Sequence, residues 1–359
     1  MIQGTEKKER LLICAGAVVA CLIGSGYATG QEILQFFAAY GRFGFLGLGL
    51  SIAGLAVLVE RVMRDSYERK EETPVGVLRY YCGEKAGRLF GFLMPVILFS
   101  TLIVMVSGAG TAMEEYYGWN PYAGRLLILI PIYLTVVMGL DKLVEIIGFL
   151  GPFTILFTLI ICIDRVLHPE VGLFEAYVFM ERAEVTRAAG SWWLSAVLYT
   201  SFNLTMSLAF FAGMGAHAAS AREAGGGSVM GTVAYGVAAF FMNGALLTSF
   251  PAMEGVSIPM LYLADRLHPF FGYVFSLILI SEIYTTAVPS LWALTRMYRE
   301  EKSAGFSRLV LLLLGAAFLC SLLPFETLIH HIYPMIGWAG MFLLFGIARK
   351  MIGPSSGKR

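Results

Sequence analysis

Charge is what this chain has least of. Only 14% of its 359 residues are Asp, Glu, Lys or Arg, against 57% hydrophobic, and its mean hydropathy is +0.72. That balance excludes an ordinary soluble domain. A formal net charge of +1 leaves no basic excess for nucleic acid. Metal chemistry is equally poor. The five cysteines (Cys14, Cys21, Cys82, Cys162, Cys320) have no ligand spacing, and four fall within apolar runs, so they read as reduced packing thiols without a disulfide framework. His217, His330 and His331 fall near the ends of apolar runs, and adjacent histidines cannot share a helical face. Ser25 stands between glycines like a nucleophile, but no His or Lys at comparable depth offers a base. No phosphate-cradling loop and no signal-peptide cleavage site occur. The chain therefore reads as no enzyme, with no prosthetic group.

What it has instead is long apolar runs. Those able to cross a bilayer of about 30 Å fall near 11–40, 43–63, 88–115, 122–140, 143–165, 191–217, 228–250, 269–296, 307–323 and 327–348. Ten spans put both termini on one side. With the N-terminus inside, six of the 26 basic residues (Arg42, Arg125, Arg165, Arg182, Arg187 and Arg266) are external and all others internal. This asymmetry predicts cytoplasmic termini. Between spans 2 and 3, Val75 to Tyr81 predicts a short helix along the membrane surface. The external stretch from Pro251 to Pro269 is either a lid over a pore mouth or a plain connector.

The first span is interrupted. Ile23-Gly24-Ser25-Gly26-Tyr27-Ala28-Thr29-Gly30 separates two apolar stretches, and each glycine costs roughly 1 kcal/mol in a helix interior relative to alanine. In a bilayer, open backbone is tolerated only where it is buried in protein or lines a cavity. Either the helix breaks there to present N–H and C=O groups to a ligand, or the glycines form a packing face. Span 6 has a second polar stretch, Tyr199 to Thr205. Two halves of five spans, about 11–165 and 191–348, each opening on such a stretch, predict an inverted repeat with a midplane site. The two halves share layout, not residue identity.

Glu282 is the most expensive intramembrane residue if ionised, at about 2.5–3.5 kcal/mol on insertion scales. It reads as a cation ligand, a proton carrier or a neutral structural carboxyl. Thr285 and Thr286 follow it on the same helix and can flank a Na⁺ ion, or simply bond back to their own helix. Glu32 suits an external gate, pairing with a base such as Arg42, or the attraction of a cationic substrate. Asn203 offers a donor and an acceptor at mid-span, for a neighbouring helix or for a ligand. Tyr27, Tyr199, Phe202 and Tyr284 can supply aromatic walls. Glu114 and Glu115, at the outer end of span 3, read as a solvated pair.

These residues bear a family resemblance. Ile23-Gly24-Ser25-Gly26 followed by Gly30 resembles the broken first helix of the amino acid–polyamine–organocation superfamily, and Gly30-Gln31-Glu32-Ile33-Leu34-Gln35-Phe36-Phe37 resembles the bacterial YkvI-like membrane proteins. The resemblance implies an all-α polytopic protein of ten transmembrane helices, a LeuT-like 5+5 inverted repeat with helices 1 and 6 broken. It implies a secondary transporter of a small amino acid or amine. Gly24, Ser25 and Gly26, with Tyr27, Tyr199, Phe202, Asn203 and Glu282, would bind substrate. Thr285 and Thr286 with the carbonyls of Ala20 and Ile23 would hold Na⁺ as coupling ion. Leu143 to Ile163 lacks the lysine that replaces sodium in some proton-coupled relatives, which favours Na⁺ but leaves a proton on Glu282 open. Glu32 and Glu282 are themselves departures from the usual permease pattern.

Overall fold

The computed structural model describes residues 2–139, 143–301 and 303–352. Lys142, Lys302, Lys358 and Arg359, counted above as internal, lie outside them. The described chain is helical, with no strand: α1 (Ile2–Leu22), α2 (Ser25–Thr29), α3 (Gln31–Phe36), α4 (Arg42–Arg69), α5 (Pro74–Cys82), α6 (Glu84–Tyr117), α7 (Pro121–Met138), α8 (Leu143–Leu167), α9 (Leu173–Arg182), α10 (Trp192–Met206), α11 (Leu208–His217), α12 (Ala221–Ser249), α13 (Pro259–Leu267), α14 (Pro269–Arg296), α15 (Ala304–Cys320) and α16 (Phe325–Ile352).

Among the described residues, six single helices are long and apolar enough to span a membrane, at α4, α6, α7, α12, α14 and α16. The pair α10 and α11, bent by 58°, makes a seventh. The molecule is a multi-pass membrane protein. The count of ten is not reached by this measure, partly because α1 begins with charged residues and stops at Leu22, and α15 is only 17 residues long. Large apolar side chains point outward along the spans, Phe92 at 76% and Phe342 at 64% exposure among them. A hydrocarbon surround is their solvent.

Local chemistry sets the helix boundaries. Thr73 caps α5 by accepting from the Gly76 amide at 3.0 Å, and Pro74 follows at the first position. Asn120 and Pro121 repeat the device at α7. The α5 helix straps the end of α4: the Tyr81 hydroxyl donates to Asp65 at 2.6 Å, and Arg61 pairs with the same carboxylate at 3.0 Å. Lys70 then donates to the Ala216 carbonyl at the end of α11, 2.9 Å away.

The stretch from Pro251 to Pro269 folds inward. Within it α13 buries Met260, Leu263 and Ala264 completely. It sits on the junction of α2 and α3, where Gly30 takes a φ of +82° and a Cβ would lie 2.8 Å from the Met260 side chain. Only glycine suits both conditions. Glu115 anchors this cover from the end of α6, accepting from the Ser257 and Ile258 amides at 2.6 and 3.0 Å. It is not the merely solvated residue its position suggested, because two unpaired backbone donors lie within its reach. Glu115→Ala should leave both amides without that acceptor and cost about 1–3 kcal/mol locally. Faster proteolytic cleavage near 251–258, compared with wild type, is the readout; an unchanged cleavage rate would show that the anchor is idle.

Candidate substrate and ion sites around the first helix break

The last backbone bond of α1 runs from the Ile23 amide to the Val19 carbonyl, at 3.0 Å. No described backbone amide bonds to the carbonyls of Ala20 to Ile23, so the helix end presents acceptors inside the protein. The chain restarts at α2 with Gly24 extended (φ −105°, ψ 174°) and with no side chain capping its first amides. This second piece has five residues and yields after Gly30 to the six of α3. Its individual N–H groups, and not a long helix dipole, are what it offers to a ligand.

A carboxylate and a set of aromatic rings close around the break. Glu32, 3% exposed, accepts from the Tyr199 hydroxyl at 2.6 Å, and Tyr199 is also hydrogen-bonded to Tyr235. A Cβ on Gly26 would lie 2.5 Å from Glu32 Oε2 and 2.6 Å from the Tyr333 hydroxyl. Tyr27 packs on Tyr235 with ring centroids 5.1 Å apart, and its buried hydroxyl has no partner among the described residues. Phe202 stacks on Tyr333 at 4.5 Å. Among the described residues no Lys, Arg or His forms an ion pair with Glu32.

Four of the residues proposed for substrate therefore meet in space: Gly26, Tyr27, Tyr199 and Phe202. Ser25 lies beside them, with its hydroxyl donated to Met105 Sδ at 2.7 Å, and Gly24 has no neighbour where a Cβ would stand. Asn203 does not join: its amide donates to the Tyr199 carbonyl one turn back, at 3.1 Å. Nor does Glu32 reach Arg42, which is exposed and lies over the Phe43 ring. The turn at Gly30 starts a new helix axis, so α3 carries Glu32 inward to the tyrosines. Tyr284 faces α7, sharing a 2.5 Å hydrogen bond with Thr135. Tyr235 and Tyr333 were missed. Their only signals are a tyrosine in a glycine-rich span and a Tyr-Pro step at Pro334.

The second buried carboxylate stands apart. Glu282, 6% exposed on α14, accepts from Thr154 Oγ1 on α8 at 2.5 Å. Three residues earlier on α8, a Cβ at Gly151 would lie 2.6 Å from the Ala20 Cβ. Residues three apart share a helix face, so Ala20 and Glu282 approach the same side of α8. Thr285 bonds back to the Glu282 carbonyl at 3.2 Å, and the Thr286 carbonyl accepts from Ser290. The described residues hold no cluster of three or more His, Cys, Asp or Glu suited to a metal ion.

In overall shape the structure is similar to several solved proteins. The structure aligns with MhsT in complex with L-phenylalanine at a TM-score of 0.60 and 17% identity, over 95% of this chain and 88% of that one. It aligns with a Na⁺-coupled sialic acid symporter at 0.59 and 13% identity, over 94% and 78%. A manganese transporter of Eremococcus coleocola gives 0.57 and 14%, over 94% and 76%. The fold is of the LeuT type.

In sequence, the chain is 24% identical over 325 residues to the Bacillus subtilis membrane protein YkvI, covering 90% of this chain and 91% of that protein. It is 25% identical over 332 residues to YyaD of the same organism, covering 91% and 93%. No protein-family model matches. The resemblance to the YkvI-like proteins read from Gly30 to Phe37, and the LeuT-type fold it implies, are thus borne out. Of these solved structures, one is a symporter and one a manganese transporter.

Proposed function

We propose that this LeuT-type protein is a secondary active transporter of a small amino acid or amine, working by alternating access and driven by Na⁺. The observation that carries the reading is the break itself. The carbonyls of Ala20 to Ile23 accept from no described backbone amide, and no side chain caps the amides from Ser25 onward. Gly26 and Tyr27, just beyond, stand in a buried cluster with Glu32, Tyr199 and Tyr235. Buried polar groups without partners are costly, and ligand or ion contact is what offsets the cost.

Substrate binds between the break and α10, against Gly24, Ser25, Gly26, Tyr27, Tyr199 and Phe202, with α13 and Glu115 covering one side. Na⁺ takes the carbonyls of Ala20 and Ile23 with the hydroxyls of Thr285 and Thr286. Glu282, which meets the same face of α8 as Ala20, supplies the negative charge. The Thr154–Glu282 hydrogen bond also supports a second reading, in which a proton on Glu282 replaces Na⁺. In either case the ten-span, 5+5 arrangement sits in a bacterial cytoplasmic membrane with both termini inside. It needs no prosthetic group.

Purified protein tested with amino acids and amines, in Na⁺ or in choline, checks this. A saturating substrate should raise apparent stability by about 2.7 kcal/mol at a hundredfold excess over Kd. A shift that requires Na⁺ supports coupled binding, and one that follows pH instead supports the proton on Glu282. Unsaturable ion currents without counterflow from reconstituted vesicles would make the protein a channel.

A further inference from the structure

We infer that the substrate is a cationic amine lacking a carboxylate, held by Glu32 inside a tyrosine cage. The inference rests on the transporter reading and sharpens its substrate class.

The amides at the start of α2 are where an anionic group of a zwitterion would dock. The side of α2 at Gly26 already faces a carboxylate of the protein. Glu32 Oε2 would be 2.5 Å from a Cβ on Gly26, the second residue of α2. An incoming carboxylate would meet Glu32 at close range in a buried site, where two carboxylates cannot both stay ionised. Glu32 therefore opposes an anion and calls for a cation.

The described residues supply none. Among the described residues no basic side chain pairs with Glu32, and its bonded partner is the neutral Tyr199 hydroxyl. An ionised carboxylate in such surroundings is stable only when compensated. The walls suit an organic cation in particular. Tyr27, Tyr199, Tyr235 and Tyr333 lie around the carboxylate, all 4% exposed or less. Their ring faces attract ammonium groups, while the unpartnered Tyr27 hydroxyl is a further acceptor for an N–H.

Norleucine and pentylamine differ only by the carboxyl group, and hexanoate keeps the carboxyl without the amine. Calorimetric titration of each into the full-length protein in detergent tests the inference. Wild type should bind pentylamine at least tenfold more tightly than norleucine and should not bind hexanoate. Glu32→Gln should weaken pentylamine by about 30-fold or more, the scale for stripping one partner from a desolvated charge pair. The same change should narrow the preference over norleucine. Should that variant fail to fold, Tyr199→Phe, which removes the hydroxyl holding Glu32, should weaken pentylamine and leave hexanoate unbound. Norleucine binding as tightly as pentylamine, failure of pentylamine to bind at all, or pentylamine binding indifferent to both substitutions overturns the inference. Saturable counterflow of norleucine or hexanoate in reconstituted vesicles would then leave the transporter reading standing without it.

Discussion

Gly26→Ala is expected to lower substrate uptake by about a hundredfold or more, equivalent to about 2.7 kcal/mol, while the protein still inserts into the membrane. The added methyl would stand 2.5 Å from Glu32 Oε2, 2.6 Å from the Tyr333 hydroxyl and 2.7 Å from its ring. Overpacking of this kind costs about 1–3 kcal/mol where neighbours must shift. Here the neighbours are the groups assigned to substrate, so the cost falls on binding. Gly24 is the internal control. It is extended at φ −105°, where alanine is unstrained, and a Cβ there meets nothing within 4 Å. Gly24→Ala should therefore fold as wild type and lose less uptake than Gly26→Ala, because its methyl can meet only substrate. Uptake by vesicles, normalised to the amount of folded protein by size-exclusion profile, measures both. Equal loss in the two variants would mean that glycine flexibility matters, not the close approach at Gly26. Normal uptake by Gly26→Ala would remove this face of α2 from the substrate site.

Glu282→Gln is expected to uncouple binding from the driving cation. Glutamine keeps the shape and still presents an oxygen to Thr154, so local packing should survive. It removes the carboxylate that meets α8 on the face Ala20 also approaches. A hard cation held by neutral carbonyls and hydroxyls alone should bind at least tenfold more weakly, a change of about 1.4 kcal/mol. The measurement is the Na⁺ dependence of the substrate-induced stability shift. In wild type the shift should grow with Na⁺ at constant pH; in the variant it should not. A variant with unchanged Na⁺ dependence would reduce Glu282 to a structural carboxyl. A wild type indifferent to Na⁺ but responsive to pH, with the response gone in the variant, would make the ion a proton.

Several features of this protein could be read before any fold was known, and the reason differs in each case. The break in the first span was visible because three glycines in seven residues oppose a helix whatever surrounds them, and α1 does stop at Leu22. The burial of Glu282 followed from its position midway along an apolar run. Glu32 was different. Its sequence position pointed toward the outer mouth and Arg42, whereas the left-handed turn at Gly30 carries it inward to Tyr199. Glu115 was likewise unreadable, because its partners Ser257 and Ile258 are more than 140 residues away.

The membrane setting, the interrupted helix and the expensive carboxylates were written in composition and local spacing, since hydropathy and helix propensity act within a few residues. The tyrosine cage was not. A side chain facing lipid and one facing the protein interior are equally apolar, so nothing in a span reveals which of its faces looks inward. Tyr235 on α12 and Tyr333 on α16 became part of the site only when packing turned those faces toward Glu32.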